Sequence, residues 1–160
     1  MFTSNIIGLL YKQILKPVFF TQDPELVHDK MIQLGNLLGK YSFSRNLTRL
    51  IFRYDNPILS QEICGLKFPN PIGLSAGFDK NAKLLNILPC VGFGLAEIGS
   101  VTHNAYQGNP KPRLFRLPND KAIINRMGFN NEGVDAAVIR LKNRKTKAII
   151  GGNIGKNKVT

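Results

Sequence analysis

A chain of 160 residues with 43% hydrophobic residues is long enough to bury a core and too apolar for disorder. Its formal net charge of +12 suits a solvated basic surface, an anionic membrane or a phosphorylated ligand, but no arginine-rich tail or aromatic–basic interleaving of an RNA reader accompanies it, which argues against nucleic acid as a partner. Cys64 and Cys90 are far apart and unpatterned, and His28 and His103 are isolated, which excludes a disulfide framework and a zinc knuckle and points to no metal site.

In chain order, residues 5–20 come first. Lys12, Gln13 and Lys16 interrupt their apolar run and Pro17 limits the helix, so the segment is too short and too broken to span a bilayer. It also lacks the cleavage site of a signal peptide. Ile7, Leu10 and Ile14 keep helical spacing. Asp23-Pro24-Glu25 starts a second helix, whose apolar face is Val27, Met31, Leu34 and Leu38. Residues 1–40 therefore read as a helical pair, packed on its own domain or lying in a membrane interface. Residues 41–60, rich in Ser, Arg and Asn, read as a connector. From 61 onward the spacing predicts two short strands turning at Gly65, strand 71–76, a helix near 81–89, strand 93–98, a long loop 99–113, a helix near 132–144 and strand 148–153. Strands alternating with helices imply an α/β fold with a parallel sheet or barrel, whose sites sit at the C-terminal ends of the strands.

The polar motifs lie at those ends. Gly77-Phe78-Asp79-Lys80 follows strand 71–76; the glycine lets backbone approach a flat cofactor and Lys80 sets a cation beside it. Asn125-Arg126-Met127-Gly128-Phe129-Asn130-Asn131 supplies amides that both donate and accept, as a uracil-like ring requires, although Asn and Gly also dominate ordinary turns. Gly151-Gly152-Asn153-Ile154-Gly155-Lys156-Asn157 fails as a phosphate loop, being one residue short and carrying Asn157 where a hydroxyl is needed; Asn153 is better placed as a ligand partner. Gly92-Phe93-Gly94 lacks the third glycine of a dinucleotide fingerprint. Gly108-Asn109-Pro110-Lys111-Pro112-Arg113 reads as a proline-stiffened loop with structural basic residues, and Arg140–Lys147 as the cationic end of an exposed helix.

The ordered set Asn70–Lys80, Gly108–Leu117, Ile124–Asn131 and Gly151–Lys158, together with Asp23-Pro24-Glu25-x-x-His28, resembles the quinone-dependent, membrane-associated (class 2) dihydroorotate dehydrogenases. The resemblance implies the N-terminal part of a TIM (β/α)8 barrel behind a small amphipathic helical domain, with residues 61–160 as the incomplete barrel. It implies FMN held by Ala76, Gly77, Phe78, Asp79, Lys80, Ser100 and Asn153. Dihydroorotate would be held by Lys80, Asn125, Arg126, Met127, Gly128 and Phe129. Residues 5–38 would form the mouth of a quinone tunnel, peripheral to the cytoplasmic face of the inner membrane. The family's catalytic serine would lie beyond Thr160, so the chain is expected to be a piece of a longer enzyme and inactive alone. His103-Asn104-Ala105-Tyr106 departs from the proline- and arginine-containing run of many relatives. The alternatives are another FMN barrel such as a dihydrouridine synthase, or a small basic module that binds membrane or nucleic acid.

Overall fold

The computed structural model describes residues 2–157, with side chains from Ile6 onward; Lys158 of the last motif lies outside the described residues. Helix α1 (Phe2–Leu10) runs through a π-helical stretch (Tyr11–Leu15) into α2 (Lys16–Phe20). Helix α3 (Pro24–Lys40) begins as expected: the Asp23 carboxylate accepts from the Leu26 amide at 2.9 Å and Pro24 opens the first turn. Among the described residues no helix is long and apolar enough to cross a membrane.

The stretch expected as a connector holds a fourth helix, α4 (Ser42–Phe52), followed by a 3-10 turn at Pro57–Leu59. The polar residues that suggested a linker dock it instead. Ser44 donates to the Leu38 carbonyl at 2.6 Å and Arg45 to the Gly39 carbonyl at 2.9 Å, so α4 satisfies carbonyls at the end of α3. Strands β1 (Gln61–Ile63) and β2 (Leu66–Phe68) then form the expected hairpin around Cys64-Gly65.

Strand β3 is only Gly73–Leu74, shorter than the expected 71–76. It pairs in parallel with β4 (Leu95–Val101). The segment between them is not a regular helix. Ala82 takes a left-handed φ of 57°, and the chain continues in turns, with Leu88 bonded to the Leu84 carbonyl and Val91 to the Ile87 carbonyl, both at 3.1 Å. It still covers the sheet: Leu84, Ile87, Leu88 and Cys90 pack with Ala96 of β4 and Ile32 of α3. Helix α3 and the sheet thus share one core.

Residues after the expected loop form an antiparallel hairpin that the sequence reading does not assign, β5 (Leu114–Leu117) and β6 (Ala122–Asn125). Helix α5 (Val134–Lys142) and strand β7 (Ile149–Ile154) fall where expected. β7 pairs in parallel with β4, giving a sheet ordered β3-β4-β7, and a second core of Ala82, Leu85, Ile98, Val101 and Ala137 seals α5 against it. The fold is mixed α/β, with its polar motifs at or just after the C-terminal ends of its strands.

Candidate functional site

At the C-terminal end of β3 the chain turns sharply. The Gly77 amide donates to the Gly99 carbonyl of β4 at 2.8 Å, which fixes the turn against the neighbouring strand. Gly77 has a φ of +102°, and a Cβ placed on it would meet nothing within 4 Å, because the residue fronts open space. That space is a cavity of about 460 Å³ lined by Ala76, Gly77, Lys80, Ser100, Asn109, Asn125, Arg126, Met127, Gly128 and Phe129.

Lys80 projects from the turn between this cavity and a neighbouring one of about 350 Å³. Its ammonium lies 3.1 Å from the Met127 sulfur, a weak acceptor that an entering carboxylate would outcompete. Burial pushes its pKa below the ordinary lysine range; Glu25 and Asp29 pull it back up, while Arg113 adds to the lowering. Ser100, on β4, donates its hydroxyl to the Asn153 side-chain oxygen, and Asn153 in turn donates to Glu97 at 3.0 Å. Asn153 therefore orients Ser100 from β7 and stays out of the cavity wall.

Two other expected site residues are placed differently. Asp79 is 1% exposed, and its two oxygens accept the Lys83 and Leu84 amides at 2.7 and 2.8 Å, anchoring the turns that follow. Burial raises its pKa, opposed by those two backbone bonds and by the charges of Arg140 and Lys83. Phe78 turns its ring toward the helices, edge-on to His28 with centroids 5.1 Å apart, while its carbonyl lies 2.9 Å from His28 Nε2. In the 125–131 loop, Asn125 accepts the Met127 amide at 2.9 Å at the cavity, whereas Asn131 is spent internally on Thr102, Phe129 and Gly133. The Asn130 oxygen is the one buried side-chain polar atom without a partner among the described residues.

Asn109 is a cavity residue that sequence reasoning missed. Its amide donates to the Met127 carbonyl at 2.9 Å and its side chain to the Arg126 carbonyl at 2.6 Å, so it forms a lip on the amide-rich loop. The available signal was an Asn inside a loop stiffened by Pro110 and Pro112.

A larger cavity of about 730 Å³ opens between the helices and the β5–β6 hairpin. Phe19, Phe20, Val27, Met31, Leu114 and Ile123 make its walls apolar, and Lys12, Lys16 and Arg116 add positive charge. Arg116 donates to the Gln22 carbonyl at 2.7 Å and stacks over Phe20, 4.8 Å from the ring centroid.

The structure is thus that of a mixed α/β protein with a polar cavity at its strand ends, where a glycine wall, the cations Lys80 and Arg126, and side-chain amides meet. A model of the dihydroorotate dehydrogenase family matches residues 58–160. A relative named dihydroorotate dehydrogenase (quinone) from Christiangramia forsetii is 50% identical over 151 residues, 94% of this chain and 44% of the relative. One of the same name from Corynebacterium glutamicum is 50% identical over 158 residues, 98% of this chain and 42% of the relative. Crystal structures of DHODH from Eimeria tenella, ligand-free and in complex with ferulenol, each superpose with a TM-score of 0.69 at 41% identity; the match covers 86% of this chain, and 38% and 37% of theirs. The chain belongs to the dihydroorotate dehydrogenase family. It spans less than half the length of these relatives.

Proposed function

We propose that these residues serve in a quinone-dependent dihydroorotate dehydrogenase, which oxidises dihydroorotate to orotate in pyrimidine biosynthesis with a membrane quinone as electron acceptor. In this reading β3, β4 and β7 are strands of an FMN-binding TIM barrel, and residues 1–40 are a helical unit that lies on the cytoplasmic face of the inner membrane. The observation that carries the reading is the 460 Å³ cavity, which gathers Ala76, Gly77, Lys80, Ser100 and Asn125–Phe129 from three separate segments.

The residues present fit a flavin. Gly77 and Ala76 leave a face without side-chain bulk, Ser100 offers a hydroxyl held by Asn153, and Lys80 offers a positive charge. FMN held by these residues would supply the two-electron redox chemistry between dihydroorotate and quinone. Lys80 would hold the substrate carboxylate as a half-buried cation, and that contact would restore the protonation that burial disfavours. Asn125 and the backbone from Arg126 to Phe129 would orient the pyrimidine ring through paired donors and acceptors. Bulk water would be narrowed at the lip by Asn109. The apolar cavity beside Phe20 and Ile123 has the size and chemistry for a quinone head, with Arg116 available to its carbonyl oxygens.

The test is to purify the product of the complete open reading frame that contains these residues. We expect yellow protein that retains FMN and reduces a quinone analogue in the presence of dihydroorotate. Colourless protein with no dihydroorotate oxidation after incubation with FMN overturns the reading.

A further inference from the structure

We propose that Glu25 and Arg113 are positioning residues: a buried ion pair through which helix α3 holds the Asn109 lip against the amide-rich loop of the cavity. The inference rests on the functional reading above for its ligand, while its geometry stands independently.

The pair joins residues 88 positions apart in sequence. Both side chains are 6% exposed. The guanidinium grips the carboxylate at two points, Nη2 to Oε1 at 2.6 Å and Nε to Oε2 at 3.0 Å. Lys111 adds a third contact to Oε1 at 3.1 Å. The remaining face of the guanidinium turns inward on its own loop. Arg113 Nη1 donates to the Gln107 carbonyl at 2.5 Å and to the Asn109 carbonyl at 2.9 Å. The loop is packed with no slack: a Cβ on Gly108 would sit 2.3 Å from the Met127 carbonyl oxygen and 2.6 Å from Arg113 Nη1.

From Asn109 the bonding continues into the cavity wall. Its backbone and side chain reach the carbonyls of Met127 and Arg126, and the Arg126 amide returns to the Arg113 carbonyl at 2.9 Å. Met127 then meets Lys80 through its sulfur. A continuous set of contacts thus runs from the first turn of α3, through Arg113 and Asn109, to Lys80. Lysine does not replace arginine at 113. Lysine would keep the charge opposite Glu25 but has no planar fork to hold the carboxylate and two carbonyls at once.

Arg113→Lys in the product of the complete reading frame separates positioning from bulk stability. We expect the dihydroorotate KM to rise about tenfold, the size of one lost charge-assisted hydrogen bond, with the quinone KM unchanged. In the flavin-free protein, hydrogen exchange should speed up at the amides of Asn109 and Arg126, whose acceptors lie within this network, and not in β4 or α5. Glu25→Gln, which keeps the side-chain shape and one acceptor, should shift both readouts in the same direction and by less. Unchanged exchange at those amides, or exchange rising equally across the protein, overturns the proposal. Failure of both variants to fold also overturns it, since the pair would then be a folding element. If the unaltered protein neither retains flavin nor oxidises dihydroorotate, the functional reading fails while the exchange measurement still decides the role of the pair.

Discussion

The polar cavity at the strand ends and the apolar cavity between the helices and the β5–β6 hairpin are built on opposite principles. The polar one is made of turns whose backbone groups are bonded to neighbouring strands and loops: Gly77 to Gly99, Asn109 to Met127, Arg126 to Arg113. Its walls are tied together by these backbone bonds, and it offers Lys80, whose ammonium meets the weakly accepting Met127 sulfur, alongside Arg126. The apolar one is walled by side chains from α2, α3 and the β5–β6 hairpin, joined by few polar contacts, of which Arg116 to the Gln22 carbonyl is the firmest. A rigid, hydrogen-bonding pocket discriminates a small planar anion; an apolar slot with adaptable walls takes a ligand by shape and burial. Stability should therefore depend on the junction between the two, and selectivity on the polar side.

Removing the helical wall that residues 1–20 give the apolar side is the most drastic way to test that division. A deletion of residues 1–20 removes α1 and α2 and leaves Glu25, His28 and the polar cavity in place. The expected result is loss of binding to anionic phospholipid vesicles and of long-chain quinone reduction, with dihydroorotate-dependent flavin reduction retained. Vesicle binding and quinone reduction at the level of the intact protein would show that these helices are ordinary packing elements.

The junction comes next in size. Glu25→Ala leaves Arg113 buried with no carboxylate, a loss of about 3–5 kcal/mol by chemical denaturation. The same pair predicts an acid limb. The hydrogen bonds from Arg113 hold the Glu25 carboxyl below the ordinary glutamate range, against the opposing effect of burial, with Lys111 assisting. A depressed folded-state pKa stabilises the protein fully above the unfolded value, roughly 4.3, and that stability disappears as pH falls through the folded value. Glu25→Gln should therefore flatten the stability profile below about pH 4.3. A slope identical to that of the unaltered protein would remove Glu25 as its source.

Legibility in the sequence follows the same division. The polar cavity was readable because its residues sit in short contiguous motifs at strand ends, so Ala76, Gly77, Lys80, Ser100 and Asn125–Phe129 converge as expected. What was not readable depends on partners far away in sequence. Arg113 looked structural until Glu25 came within reach across 88 residues. Asp79 and Asn131 carry site-like side chains that the fold spends on backbone amides. The α4 segment reads as a linker from its Ser and Arg content, yet Phe43, Leu47, Leu50 and Ile51 keep helical spacing and Ser44 and Arg45 dock on α3. The 81–89 segment has helical composition but is broken by the left-handed Ala82. The β5–β6 hairpin announces itself only weakly, in two apolar runs flanking Pro118-Asn119-Asp120-Lys121.

On the polar side, Lys80→Ala should lower kcat/KM for dihydroorotate by roughly 10- to 150-fold, the value of about 1.5–3 kcal/mol for a charge-assisted contact. Steady-state assays at saturating quinone measure it, and near-wild-type values would take Lys80 out of the site. Burial lowers the Lys80 pKa, so its protonated form is lost at a lower pH than for free lysine. The dihydroorotate KM should accordingly begin to climb on the alkaline side below about pH 10.4, and Lys80→Ala should abolish that climb.

The smallest expected effect belongs to the start of α3, where both cavities are tied to one helix end. Asp23 caps the Leu26 amide, Glu25 sits in the same turn, and His28 follows one turn later against Phe78. Asp23→Ala removes the cap while leaving every cavity-lining side chain in place, and should cost about 1 kcal/mol of stability by denaturant titration. If the first turn of α3 is held chiefly by its cap, the substitution should also loosen the Glu25–Arg113 pair and raise the dihydroorotate KM. If it is held chiefly by the pair, stability falls by the same amount and the KM does not move. The second outcome is expected, because a charge-assisted, two-point contact inside the core is stronger than one solvent-exposed cap.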